Sequence, residues 1–222
     1  MDRAKVLKFM DSYQQKFKYQ HNVEDFKLAI CQVQLGNYAD ARQSFERSGE
    51  GMFKFPLWEH TGQPHWLVDI CVLAGRADLY PSVMQELEAY KVNPLGKSLI
   101  ALYAYALMEM LLPSGNDIAI WIQSLLKKPK VKRTFAMGHV LQAILEGDQS
   151  LFHESLANLL KAHEGKAKHG ELRWTAEGLL CMPAMSLAYV ALKRNLRVDI
   201  ENDYLPIGYL EYLLQPEGER SS

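Results

Sequence analysis

The chain has 222 residues, 25 basic against 26 acidic, a formal net charge of −1, and 48% hydrophobic residues with 23% charged. That composition suits a globular chain long enough to bury a core, and excludes both intrinsic disorder and a globally basic binder of nucleic acid or anionic membrane. Three cysteines, Cys31, Cys71 and Cys181, stand far apart in apolar contexts with no CxxC pair, which fits reduced, buried thiols and a cytoplasmic protein.

Met1 to Lys8 has no apolar stretch behind its basic residues, so no secretory signal is expected there. Residues 4–19 carry Val6, Leu7, Met10, Tyr13 and Phe17 on one stripe and predict an amphipathic helix. A second helix over 26–35 closes at Gly36-Asn37, residues that accept left-handed geometry, and a third begins at once over 39–45. Leu28, Ala29, Gly36, Tyr38, Ala41 and Phe45 fall where a tetratricopeptide repeat places its small and large packing residues. Residues 48–64, rich in glycine and proline, predict a loop holding Phe53, Phe55 and Trp58, either packed back on the body or exposed as an anchor for a partner.

Helix–glycine–helix patterns recur at Gly75 and Gly147. Residues 66–74 and 77–92 form the pair around Gly75, and Asn93-Pro94 ends it. Residues 99–112 are apolar nearly all round and predict a central buried helix, too short to cross a membrane and interrupted by Glu109. Pro113 to Asp117 reads as a turn and N-cap for a helix over 118–126. Further helices follow over 135–146, after Gly147-Asp148, and through the apolar stretch from Pro183 to Leu192. The expected fold is therefore all-α: one domain over 1–222, an irregular tetratricopeptide-like solenoid of about ten helices with a short extended C-terminal tail.

Catalytic and cofactor patterns are missing. Gly96-Lys97-Ser98 resembles the end of a phosphate-binding loop, but Lys91 stands where that loop needs its first glycine, and no strand precedes it. The seven histidines form no HExxH and have no cysteine nearby to complete a zinc site, and no GxSxG surrounds a serine. Neither an enzyme, a metal nor a cofactor is expected. Two charged stretches remain as binding candidates. The run Lys127-Lys128-Pro129-Lys130-Val131-Lys132-Arg133 is either a solvated junction or a grip on an acidic partner. If residues 198–204 are extended, Asp199, Glu201 and Asp203 share one side, as a solvent-facing edge or a receptor for a basic partner.

The C-terminal part carries a resemblance. Its residues are the Gly147-Asp148 turn with Phe152 and Leu156-Ala157, then Ala162-His163-Glu164 and Glu177-Gly178. Pro183 to Ala188, the helix end Ala191 to Leu196, Val198-Asp199-Ile200 and Asp203-Tyr204-Leu205-Pro206 complete it. In these the chain resembles the Immunity protein 49 family of bacterial polymorphic-toxin systems, over residues 136–215, with 1–135 matching only as generic paired helices. It departs at Asn195, where the family prefers glycine; asparagine is the next-best residue for such a left-handed cap.

The resemblance implies an all-α protein encoded beside a toxin, which neutralises that toxin by binding and occluding it, without catalysis. One-to-one binding through an acidic or mixed patch of about 1,200–2,000 Å² is the expected form. The missing secretory signal suggests that the toxin acts in the cytosol, as a nuclease would, and no direct nucleic-acid or membrane contact is expected. The alternative is a tetratricopeptide-like adaptor or chaperone that holds a peptide or protein in a concave groove.

Overall fold

A computed structural model describes residues 2–17, 25–54, 64–91 and 98–216, so the candidates Phe55 and Trp58 lie outside the described residues. Its helices are α1 (Arg3–Phe17), α2 (Asp25–Leu35), α3 (Tyr38–Lys54), α4 (Pro64–Leu73), α5 (Tyr80–Lys91), α6 (Leu99–Leu111), α7 (Ile118–Leu126), α8 (Lys132–Glu146), α9 (Gln149–His169), α10 (Met182–Lys193) and α11 (Ile207–Leu214). Short 3₁₀ turns at Ala77–Leu79 and Ala176–Gly178 complete the order, and no strand occurs among the described residues. The fold is all-α.

Successive helices fold back on one another: α2 on α3, α6 on α7, α8 on α9. The centre is held by helices without a polar face. In α10 every residue from Met182 to Ala191 is buried, and α4 is buried from Leu67 to Leu73. A helix apolar all round has no side to give to water, so it is enclosed. Accordingly α4 touches α3, α5, α6 and α10, while α10 touches α4, α6, α8, α9 and α11. One apolar cluster runs from Val6 to Leu213.

Local chemistry sets the joints. Gly147 closes α8 at φ 69°, and its successor Asp148 caps α9 by accepting from the Leu151 N–H at 2.9 Å. Asn195 closes the end of α10 in the same left-handed region, at φ 62°. Asp117 caps α7 by accepting from the Ala119 N–H at 3.1 Å. Glu109, the one charge inside α6, is buried but not stranded. Its Oε1 accepts from the backbone N–H groups of Ser114, Gly115 and Asn116 at 2.7, 2.9 and 3.2 Å. Its Oε2 accepts from Ser114 Oγ and Asn116 Nδ2 at 2.7 and 3.2 Å. Burial pushes its carboxyl pKa up, but these donors outweigh it, and the pKa lies below the ordinary value.

Two expectations change. The expected loop over 48–64 begins later, because α3 continues to Lys54. Ala41, Phe45, Ser48 and Met52 form one buried stripe, and its packing outweighs the roughly 1 kcal/mol that each of Gly49 and Gly51 costs a helix. The expected extended tail is present up to Asn202 and then turns at Asp203-Tyr204, where the Leu205 N–H donates to the Asn202 carbonyl at 3.0 Å. Beyond Pro206, where only the tail's end was expected, lies α11. Its two turns are too short to stand alone, but Tyr209 is fully buried, tilts against Phe45 and Tyr38, and donates its hydroxyl hydrogen bond to the Leu73 carbonyl at 2.5 Å.

Candidate partner-binding surface

The α8–α9 hairpin is closed at Gly147, and at its opposite end the two helices leave a groove of about 970 Å³. Residues from the start of α8 and the later turns of α9 line it, with Pro129, Lys130 and Val131 of the α7–α8 junction at its mouth. Phe135 and His139, packed edge-on with ring centres 4.6 Å apart, form its apolar floor with Ala136 and Ala162. Its charged lining is entirely basic: Lys130, Lys132, Arg133, Lys161 and Lys166, with His169 at one end. Lys166 is engaged by Glu171 at 2.7 Å. Lys130, Lys132 and Lys161 are exposed and make no hydrogen bond or ion pair among the described residues.

Along another side of α9 runs the tail, in the same direction as the helix. Gln149 and Arg197 exchange two bonds, Gln149 Nε2 donating to the Arg197 carbonyl at 2.9 Å and the Arg197 N–H to Gln149 Oε1 at 2.8 Å. Farther on, the Tyr204 ring meets His163 edge-on at 5.0 Å, the Tyr204 carbonyl accepts from the Cys181 N–H at 3.0 Å, and Gln34 Nε2 donates to the Asp203 carbonyl at 3.0 Å. Held this way, the tail alternates. Val198, Ile200, Asn202 and Tyr204 turn partly inward, while Asp199, Glu201 and Asp203 are exposed.

Below the groove lies a second, smaller cavity of about 250 Å³, and Arg133 lines both. Around it stand His65 and Asp69 of α4, His163 of α9, and Glu177. Asp69 Oδ1 accepts from Tyr103 Oη at 2.8 Å. Burial raises the Asp69 pKa to about 7, against the pull of Tyr103, Ser186 and the Arg133 charge. Burial, and then the same Arg133 charge, lowers His65 to about 3 and His163 to about 4, so both rings are neutral at pH 7. No group of three or more His, Cys, Asp or Glu among the described residues could hold a metal ion.

The candidates read from the sequence therefore fall in three places. Asp199, Glu201 and Asp203 are all exposed along the tail, the last at a turn; Lys127, Lys128 and Lys130 sit exposed on the α7–α8 junction, and only Lys130 reaches the groove; Phe53 is half-buried at the end of α3, packed on the core. The family model for Immunity protein 49 matches residues 82–209, more than half of the chain. The chain belongs to the Immunity protein 49 family. No curated protein matches it, and neither does any solved structure.

The Immunity protein 49 match takes in every motif residue quoted for the resemblance and reaches back to α5. Toxin immunity is the role this membership points to, with a toxin as partner. The groove and the acidic tail both lie inside the matched stretch, whereas His65 and Asp69 come from α4, ahead of it. One motif glycine has a clear physical reason. A Cβ on Gly178 would stand 2.1 Å from the Leu172 carbonyl oxygen, so only glycine fits that crossing. Sequence reasoning picked out Lys132 only as part of the basic run over 127–133, and did not pick out Lys161 or Lys166. Their helical spacing is visible in the chain, but nothing in it says that the stripe from α8 faces the stripe from α9. No described helix is long and apolar enough to cross a membrane.

Proposed function

We propose that this protein neutralises a cognate antibacterial toxin by binding it one-to-one and covering the surface through which the toxin acts. The Immunity protein 49 match over residues 82–209 carries this reading. The mechanism is occlusion: the immunity protein supplies shape and charge, and no bond is made or broken. Two segregated charged surfaces on an apolar helical frame suit such a role, since charge complementarity speeds encounter and rejects wrong partners. The toxin is one that acts in the cytosol, for instance a nuclease. In support, Cys31, Cys71 and Cys181 are free and buried, as suits a chain at work in a reducing compartment.

The test is co-expression with the toxin encoded by the adjoining gene, followed by light scattering of the purified mixture. Rescue of growth and a complex with the mass of one copy of each are expected; failure to rescue refutes the reading. The open groove also suits an extended peptide, as a tetratricopeptide-like adaptor would require. Binding of many unrelated peptides, together with no protection from the toxin, would favour that second reading.

A further inference from the structure

We infer that the basic groove at the open end of the α8–α9 hairpin is the surface that docks the toxin, and that it takes an acidic segment of it. The inference rests on the immunity reading above and names its binding face. Basic and acidic residues nearly balance over the whole chain, so a groove whose charged lining is only basic reflects segregation in space.

Some cations elsewhere on the surface are matched, although Lys127 and Lys128 of the α7–α8 junction are exposed without an ion pair among the described residues. Arg42 pairs with Glu46, Arg76 with Asp78, and Lys168 with Glu164. In the groove, Lys130, Lys132 and Lys161 share one cleft with Arg133 and form no contact-distance ion pair among the described residues, Lys161 acting only at longer range on Glu164 of its own helix. Like charges gathered in a concavity with low-dielectric walls repel one another and focus a positive potential outward, a cost that an incoming anionic partner removes.

Size and chemistry choose the partner. At about 970 Å³ the groove is at the upper end of the range of about 300–1,000 Å³ that small ligands fill. A single-stranded nucleic acid would need exposed aromatic faces to stack on, but the groove's one ring pair, Phe135 and His139, is half-buried and packed edge to face. The apolar floor with lysines above it instead matches a peptide segment whose carboxylates meet the rim while its apolar side chains and backbone lie on the floor.

The experiment measures the affinity of the full chain for a catalytically inactivated form of the toxin from the adjoining gene, at about 50 mM and about 500 mM NaCl, where screening differs most. The triple variant Lys130→Glu, Lys132→Glu, Lys161→Glu is expected to lose at least ~30-fold in affinity at low salt and most of the salt dependence. Reversal of the tail charges by Asp199→Lys, Glu201→Lys and Asp203→Lys is expected to change affinity by less than about threefold. All six residues are exposed, so folding is not at stake; Lys130→Ala, Lys132→Ala, Lys161→Ala is the milder check and should still lose roughly tenfold.

Wild-type affinity in the groove variants, with loss in the tail variant, overturns the inference and leaves the immunity reading intact. No binding or protection by the wild-type chain takes down both. A labelled single-stranded or duplex oligonucleotide that binds the wild type but not the groove variants, while toxin affinity stays unchanged, also overturns it and assigns the groove to nucleic acid.

Discussion

Glu109 offers the sharpest test of the physical account. It sits in the last turn of α6, where the helix dipole disfavours a negative charge, and it is buried. Only the five donors of the 114–116 turn make the carboxylate stable there. In Glu109→Gln the carbonyl still accepts the three backbone N–H groups, but without the charge that makes such bonds roughly 1 kcal/mol stronger each. The new amide group also faces Asn116 Nδ2, donor to donor. Allowing for the partial exposure of the turn, the loss is about 2–3 kcal/mol, or about 5–10 °C in Tm for a chain of this size. Glu109→Ala, which frees every donor, should cost roughly 3–4 kcal/mol.

Urea unfolding followed by circular dichroism at neutral pH reads these values, and repeating it down to about pH 3 tests the electrostatics. The folded pKa is depressed below 4.5, so the carboxylate's contribution is fully present above that value and is lost as pH falls through the folded one. The gap between wild type and Glu109→Gln should therefore close in acid. A variant within about 0.5 kcal/mol of wild type at neutral pH, or a gap that does not change with pH, would refute the reasoning.

Two further predictions follow from the buried joints. Gly178→Ala must push the Leu172 carbonyl aside, a backbone shift that should cost roughly 3 kcal/mol and appear as a lower urea midpoint; an unchanged midpoint would mean that the 170–181 segment yields freely. His163 has its folded pKa lowered from 6.5 to about 4, so the unfolded chain binds more protons between those values and stability falls as pH drops through that window. The loss is about 2 kcal/mol at pH 5 for this group alone. Asp69, raised to about 7, works in the opposite direction, so the comparison must be with His163→Gln, whose stability should fall less from pH 7 to pH 5 than that of the wild type. Equal slopes would show that His163 is not held neutral.

Much of the helical plan was legible because it rests on local chemistry. The α7 boundaries, the left-handed closures at Gly36, Gly75, Gly147 and Asn195, and the buried character of 99–112 all follow from residue type and spacing. The errors fell where packing overrode local preference. Gly49 and Gly51 spoke for a loop, but α3 continued through them because Ser48 and Met52 were enclosed. Eight residues after a proline gave little reason to expect α11, which forms because Tyr209 finds Leu73, 136 residues away. The alternation over 198–204 agrees with the exposure pattern of the tail, and Tyr204 packs edge-on against His163 of α9.

For the binding surface the division is sharper. By itself the sequence pointed to solvent exposure of Asp199, Glu201 and Asp203, since alternation with period two is a property of an extended backbone, and all three are exposed. It also determined the family, through caps, turns and a glycine crossing that are local requirements. The basic groove was decided only by tertiary structure. Lys130 and Lys132 lie some thirty residues from Lys161, and each is an ordinary solvent-facing lysine until the Gly147 turn folds α9 back along α8. Charge adds over distances in space, not along the chain, so a net charge near zero hid a concentrated positive cleft.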